Sequence, residues 1–290
     1  IHDDESFEGD WVEYAYIAFS NNIDHVKAAL DAAADGAIIK LEPGVNYGTL
    51  VIRPVEGQKN TIVDCDYLVY RNEMLRKVEN LTIVGAPGAT VDAIEFVSGH
   101  IEGSTGYVVD IKNLVIDSVE FTDKHTNAPH KYAAPIFIDL SYINVDGLTV
   151  NNCKLVGNND KMNLVYLYSS GKVAFDNLAK NITITNNTVD GIARLCELRQ
   201  TENVTITGNT IKNTYLHGML LPVSEGTYSG NVTITDNTAT GINDRFVRMA
   251  GAGDANVVIK DNIISNYMGE DADYIKVTSY DVTPTIEDNT

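Results

Sequence analysis

The chain alternates in short bursts. Asn181-Ile-Thr-Ile-Thr-Asn-Asn-Thr-Val places apolar Ile182 and Ile184 between polar Thr183 and Thr185, then breaks on two asparagines. The burst recurs at Asn203-Val-Thr-Ile-Thr-Gly-Asn-Thr-Ile, Asn231-Val-Thr-Ile-Thr-Asp-Asn-Thr-Ala and Asn256-Val-Val-Ile-Lys-Asp-Asn-Ile-Ile. Looser copies start at Asn80, Asn113 and Gly147, and Thr285-Ile-Glu-Asp-Asn-Thr begins another. A period of two with β-branched residues is the signature of a strand buried on one face. The asparagines at Asn152, Asn187, Asn209, Asn237, Asn262 and Asn289 are expected to take the left-handed conformation of a sharp bend and to hydrogen-bond from copy to copy. One strand per copy, stacked in parallel with irregular spacing absorbed outside, predicts a solenoid of coils.

A second strand is expected between successive asparagine motifs. Inward-outward-inward triplets read Val109-Asp110-Ile111, Ile138-Asp139-Leu140, Val165-Tyr166-Leu167 and Cys196-Glu197-Leu198. They continue as Met219-Leu220-Leu221, where Pro222 blurs the register, Val247-Arg248-Met249 and Ile275-Lys276-Val277. Ahead of the repeats, Ile23, Val26, Leu30 and Ala33 share one helical face, with Asn22 as N-cap and Gly36 at the end. That helix is expected to cover the open end of the solenoid. The predicted architecture is an all-β, right-handed parallel β-helix with an N-terminal capping α-helix: residues 1–35 form the N-terminal segment and cap, and 36–290 a single β-helix domain.

The capping helix, Gly36-Ala-Ile-Ile-Lys-Leu-Glu-Pro-Gly-Val-Asn-Tyr at 36–47 and the repeated Asn-aliphatic-Thr-Ile units together resemble the pectate-lyase-like right-handed β-helix superfamily, over roughly residues 20–290. The resemblance implies the fold. For activity it implies a choice among polysaccharide lyases, glycoside hydrolases, phage tailspikes and surface adhesins. The paired Asp, Gly-His-Gly and Arg-x-Lys signatures of the hydrolase branch are absent, as are the calcium-binding and arginine motifs of the pectate lyases.

Charge narrows the partners. Lys and Arg total 21 against 40 Asp and Glu, a formal net charge of -19. Such a surface repels nucleic acid and anionic membranes, and no apolar run reaches the length of a membrane helix. The three cysteines, Cys65, Cys153 and Cys196, are too scattered for a zinc or disulfide framework. The chain begins without Met and stops within a repeat copy, so further domains in a longer parent are expected.

Coils one strand spacing apart turn equivalent outward residues into columns, about 4.8 Å from step to step. One column reads Asp110, Asp139, Tyr166, Glu197, Leu220, Arg248, Lys276. Asp110 and Asp139 are expected about 5 Å apart, the separation used by retaining glycosidases. The alternative is that each meets a local cation such as Lys112. Three residues upstream, Arg194, His217 and Arg245 form a second column beside Glu197, Arg199 and Arg248. Four arginines together suit a carboxylate-bearing sugar, with a neutral His217 or a deprotonated Arg as proton acceptor and another Arg neutralising the carboxylate. Alternatively the arginines pair locally, Arg199 and Arg248 with Glu197 and Arg245 with Asp244 or Asp254. Asp110, Asp139, Glu197 and His217 are thus the catalytic candidates, and Arg194, Arg199, Arg245, Arg248, Tyr166 and Tyr168 the substrate-binding ones.

Tyr166 and Tyr168, with Tyr132 and Tyr142 on nearby loops, offer flat faces for sugar rings, or simply fill outer strand positions. His125 and His130 lie in the inserted loop 122–135 and read either as metal ligands or as solvated loop residues. The acidic run Glu270-Asp271-Ala-Asp273 reads either as a calcium loop or as a solvated one, so calcium is the single cofactor considered and no metal site is assigned. The expectation is a secreted or cell-surface bacterial protein that binds polysaccharide or host glycan. The alternative is a polysaccharide lyase or glycoside hydrolase working along the same face.

Overall fold

In a computed structural model, the described residues are 23–52, 75–96, 108–125, 132–140, 143–168, 178–222, 228–250, 255–269, 273–278 and 283–290. Asn22, Cys65, His130, Tyr142, Asp254, Glu270 and Asp271 lie outside them. Every described strand pairing is parallel. The chain climbs through a ten-stranded sheet whose main path follows sequence order, from 38–40 through 82–84, 108–117, 143–151, 179–185, 201–207, 228–235 and 256–260 to 285–287. This is a parallel β-helix. Among the described residues no helix is long and apolar enough to cross a membrane.

Each turn of the central coils carries three short strands rather than the expected two. The first face is the asparagine-motif sheet. A thirteen-stranded sheet supplies the other two, because strands Lys154–Tyr168 and Thr188–Leu198 run around the corner between them. The start of Thr188–Leu198 pairs with Thr210–Thr214 and its end with Met219–Pro222. The second face was missed in the sequence because its strands are very short and follow the bend directly.

Alternation builds the core. On the first face Ile39, Ile83, Ile116, Val150, Ile184, Ile206, Ile234, Ile259 and Ile286 occupy successive coils in register. All are buried except Ile286, on the last coil. The second face contributes Val91, Phe121, Leu155, Val189, Ile211, Ala239 and Ile264 in the same manner. The third contributes Ile94, Ile136, Val165, Cys196, Met219, Val247 and Ile275. Helix α1 (Ile23–Ala32) sets Val26 and Leu30 into this core at the first coil.

The bend has two jobs, and they fall on neighbouring residues. The positive φ expected of the conserved-looking asparagines belongs to Asn152, Asn186, Gly208, Asp236, Asp261 and Asp288. Of the asparagines named for it, Asn152 alone carries it. Asn187, Asn209, Asn237, Asn262 and Asn289 come one residue later, turn inward and form the ladder. Asn187 Nδ2 donates to Asn209 Oδ1 at 3.0 Å, Asn209 to Asn237 at 2.8 Å, Asn237 to Asn262 at 2.9 Å and Asn262 to Asn289 at 2.8 Å. The residue before each must be short and tolerant of αL, hence Asn, Asp or Gly. At Gly208 a Cβ would sit 2.7 Å from Asn186 Oδ1.

Cys153 occupies the ladder position on the coil before Asn187. Its N–H donates to Asn187 Oδ1 at 2.8 Å, and its Sγ lies 3.3 Å from Asn151 O and 3.5 Å from Ile116 O. These are the two carbonyl positions that Asn209 Nδ2 reaches, Thr207 O and Ile184 O. A thiol is the weaker donor. Cys153→Asn is therefore expected to extend the ladder and stabilise the protein by about 1 kcal/mol in urea unfolding. Burial pushes the Cys153 thiol up to about 12, so native protein should resist alkylation at this residue at neutral pH.

Candidate functional site

The third face carries an outward column in register: Glu95, Phe137, Tyr166, Glu197, Leu220, Arg248 and Lys276. From Tyr166 onward this matches the sequence expectation, including Leu220, where register was in doubt. Before Tyr166 it does not. Asp110 belongs to the first face, beside Lys77 and Asn144, while Asp139 pairs with Tyr168 rather than Tyr166. The two aspartates are not neighbours, and the carboxylate pair expected of a retaining glycosidase does not form. The physical reason is that triplets of the form inward-outward-inward look alike on every face. A slip of two residues preserves the alternation, so period alone does not fix register. Burial raises the Asp110 carboxyl above its ordinary range, with Lys77 and Lys112 pulling the other way.

The corner before the third face brings the cationic column together. Arg194 lies in register with Asn163 on the preceding coil. The backbone bonds Leu195 N to Gly218 O and Gly218 N to Arg245 O bring His217 and Arg245 onto the same line. All three side chains face outward yet are buried, because neighbours cover them. Arg194 packs its guanidinium 4.4 Å from the centre of the Tyr132 ring. Its Nη1 donates to Glu197 Oε2 at 2.9 Å, and Arg199 donates to Glu197 Oε1 through Nη2 at 3.0 Å and Nε at 3.3 Å. Glu197, 2% exposed, is thus a buried carboxylate with both oxygens held by arginine.

Asp244 organises the second half. Arg245 Nη1 donates to Asp244 Oδ1 at 3.0 Å, and His217 Nδ1 lies 3.1 Å from Oδ2 without hydrogen-bond alignment. His217 Nε2 is 3.4 Å from Arg248 Nη1. Local pairing therefore accounts for Arg194, Arg199 and Arg245, though Arg248 faces His217 and not Glu197. Burial pushes the His217 imidazole down to about 4. Asp244 opposes the shift, while Arg194, Arg248 and Arg245 reinforce it. The ring is neutral at pH 7.

That shift has a stability consequence. The unfolded chain takes up a proton at the ordinary histidine value, near 6.5, and the folded protein resists protonation down to about 4. His217's stabilising contribution is complete above pH 6.5 and is lost as pH falls toward 4, by about 3 kcal/mol in all. His217→Gln should flatten this part of the stability-pH curve, measured by urea unfolding between pH 7 and 4.

Beside the ion pairs lies an aromatic platform. Phe137 and Tyr168 stack with centroids 6.2 Å apart and planes inclined by 24°, and both meet Tyr166 edge-on. The Arg199 guanidinium sits 5.1 Å from the Tyr168 ring. Burial lowers the Arg199 pKa, but Tyr166 and Glu197 more than offset this and leave it raised. Tyr166 is only 3% exposed, so it supports the platform from beneath. Phe137, absent from the sequence candidates, and Tyr168 form its accessible part. The signal for Phe137 was in the chain: it sits two residues before Asp139, at the same parity.

Elsewhere, His125 Nε2 lies 3.4 Å from Glu95 Oε1, and burial lowers its pKa against the pull of Glu95 and Asp92. Among the described residues no three His, Cys, Asp or Glu side chains converge as a metal site.

A family model described as a right-handed β-helix region matches residues 58–290. The chain belongs to the right-handed β-helix family. No curated protein and no solved structure matches it. Among the described residues, the third face and its corner bring aromatic rings, arginines and a buried acid together.

Proposed function

We propose that this right-handed β-helix binds an extracellular glycan along its third face, as a secreted or cell-surface bacterial recognition protein. The observation that carries this is the partly exposed platform of Phe137 and Tyr168, edged by Arg199 and continued by exposed Arg248 and by Lys276 on one line of coils. An aromatic face suits the apolar side of a pyranose ring, and the guanidinium groups at its edge suit hydroxyl or carboxylate oxygens. The buried groups serve this surface indirectly: Glu197 fixes Arg199 over Tyr168, and Arg194 neutralises Glu197. Arg194 and Arg245 are thus supports for the face, and Arg248 takes their place as the cation a ligand meets.

Tyr168→Ala and Arg248→Ala are each expected to weaken binding to the recognised member of a panel of neutral and uronate-bearing polysaccharides, by about 1 kcal/mol or five- to tenfold. Unchanged affinity in both variants would remove the third face from consideration.

One observation favours a lyase or hydrolase as the second reading. His217 is neutral, and Arg248, which is exposed, sits 3.4 Å from its Nε2. A neutral imidazole accepts the proton α to a uronate carboxylate, and an arginine stabilises the enolate charge that develops on that carboxyl group before the glycosidic oxygen leaves. Ultraviolet-absorbing unsaturated products from a uronate polysaccharide, lost in His217→Gln, would establish a lyase. New reducing ends without such products would establish a hydrolase.

A further inference from the structure

The outward side of the first face is chemically unlike the rest of the molecule. Over four successive coils its outward positions before the bend are Thr149 and Asn151, Thr183 and Thr185, Thr205 and Thr207, Thr233 and Thr235, paired in register along the axis. Seven of these eight residues are threonine and none is charged, in a chain of net charge -19. All are partly exposed. Charge returns at the margins, with Asp117 on one end, Lys260 on the other, Asp146 and the Lys180–Glu202 ion pair along one side and the exposed Asp236 on the other.

The ribbon is rigid as well as neutral. Parallel pairing fixes the coil repeat, the buried ladder from Asn187 to Asn262 locks one side, and Asn203 Nδ2 to Asn181 Oδ1 at 3.2 Å ties the other. Threonine's β-branched χ1 is restricted, which leaves these side chains little freedom to lose, and Thr207 Oγ1 and Thr235 Oγ1 hold each other at 3.2 Å across neighbouring coils. A surface already ordered in this way gains most from a partner that is itself flat and periodic. The axial repeat is about 4.8 Å, the spacing of parallel strands. In ice, oxygens joined by hydrogen bonds of about 2.75 Å at tetrahedral angles place second neighbours about 4.5 Å apart. Over the three steps of the ribbon the two repeats drift by only about 1 Å.

We infer that this ribbon adsorbs to ice, its uncharged outward residues repeating along the axis near the step of the lattice oxygens. The other flat periodic solid to consider is a crystalline neutral polysaccharide. That surface presents apolar sugar faces that call for aromatic rings, and the ribbon has none. The inference is independent of the proposed glycan face, which lies on a different side of the coil.

The test is growth of single ice crystals and inhibition of ice recrystallisation by the purified chain. The variants are Thr183→Lys/Thr205→Lys, in the middle of the ribbon, and Tyr168→Ala on the third face as control. Outward strand positions tolerate Lys, and circular dichroism checks that both variants keep the native fold. Shaped crystals and arrested recrystallisation, retained in Tyr168→Ala and lost in the double Lys variant, are expected. Ice growth indistinguishable from that in an inert protein at equal concentration would overturn the inference. So would activity surviving in the double Lys variant, or threonine-dependent pull-down on microcrystalline cellulose with no effect on ice.

Discussion

Glu197→Ala is expected to cost about 3–5 kcal/mol of stability, the range for removing one partner of a buried ion pair. The loss does not come from missing attraction alone. Arg194 would stay 4% exposed beneath Tyr132, with no carboxylate to receive its Nη1. Its Nε already lacks a hydrogen-bond partner, so the variant would leave a buried guanidinium charge with only the 3.4 Å contact of Nη1 to Asn163 Oδ1. Arg199 would lose both of its bonds, but its side chain is 32% exposed and water replaces them. Arg199→Ala should cost less, about 1–3 kcal/mol, because it takes the arginine from the buried Glu197 Oε1 while Arg194 still holds Oε2. Arg194→Met/Glu197→Leu should recover most of what Glu197→Ala loses, since a matched apolar pair avoids both desolvation penalties. Urea unfolding of the four proteins checks the order. A Glu197→Ala protein no less stable than Arg199→Ala would mean that Glu197 is not the anchor of the corner.

Asn209→Ala is the second large effect, again about 3–5 kcal/mol. Asn209 Oδ1 accepts from both the backbone N–H and the side-chain amide of Asn187, at 2.9 and 3.0 Å. Its Nδ2 donates to Ile184 O, Thr207 O and Asn237 Oδ1. Truncation takes the acceptor from the buried Asn187 N–H and one bond each from Asn187 Nδ2, Ile184 O and Asn237 Oδ1, and a buried group left without a partner costs about 1–3 kcal/mol. Asn209→Asp, though nearly isosteric, should be comparably harmful. A carboxylate has no proton for Ile184 O and would place an anion against Asn237 Oδ1. Asn289→Ala, on the last and only partly buried rung, should cost about 1 kcal/mol. Equal losses at Asn209 and Asn289 in urea unfolding would refute the ladder as a cooperative element.

The repeated asparagine motif made the solenoid legible because its two functions, bending and laddering, both leave polar residues at fixed offsets from a β-branched strand. Which asparagine did which job was not legible. Asn, Asp and Gly all accept positive φ, so only the three-dimensional register separates Asn186, which bends, from Asn187, which ladders. The columns from Tyr166 to Lys276 were readable because coils in that stretch vary only in their loops. Asp139 was misplaced because alternation survives a shift of two residues, and Asp110 because triplets on the first face look the same as those on the third. Burial was the other hidden quantity. Arg194, His217 and Arg245 occupy outward positions and were read as a surface patch, but Tyr132, Asp244 and neighbouring coils cover them. Phe137 was overlooked for the same reason that Asp139 was chosen, a register two residues off.

The glycan-facing role of the third face is tested most directly by hydroxyl-radical footprinting with and without the polysaccharide that the protein retains on a panel. Protection at Phe137 and Tyr168, with the first-face threonines at 183–235 unaffected, is the result expected. Protection confined to the first face, or a bound glycan that leaves Phe137 and Tyr168 as reactive as before, would contradict it.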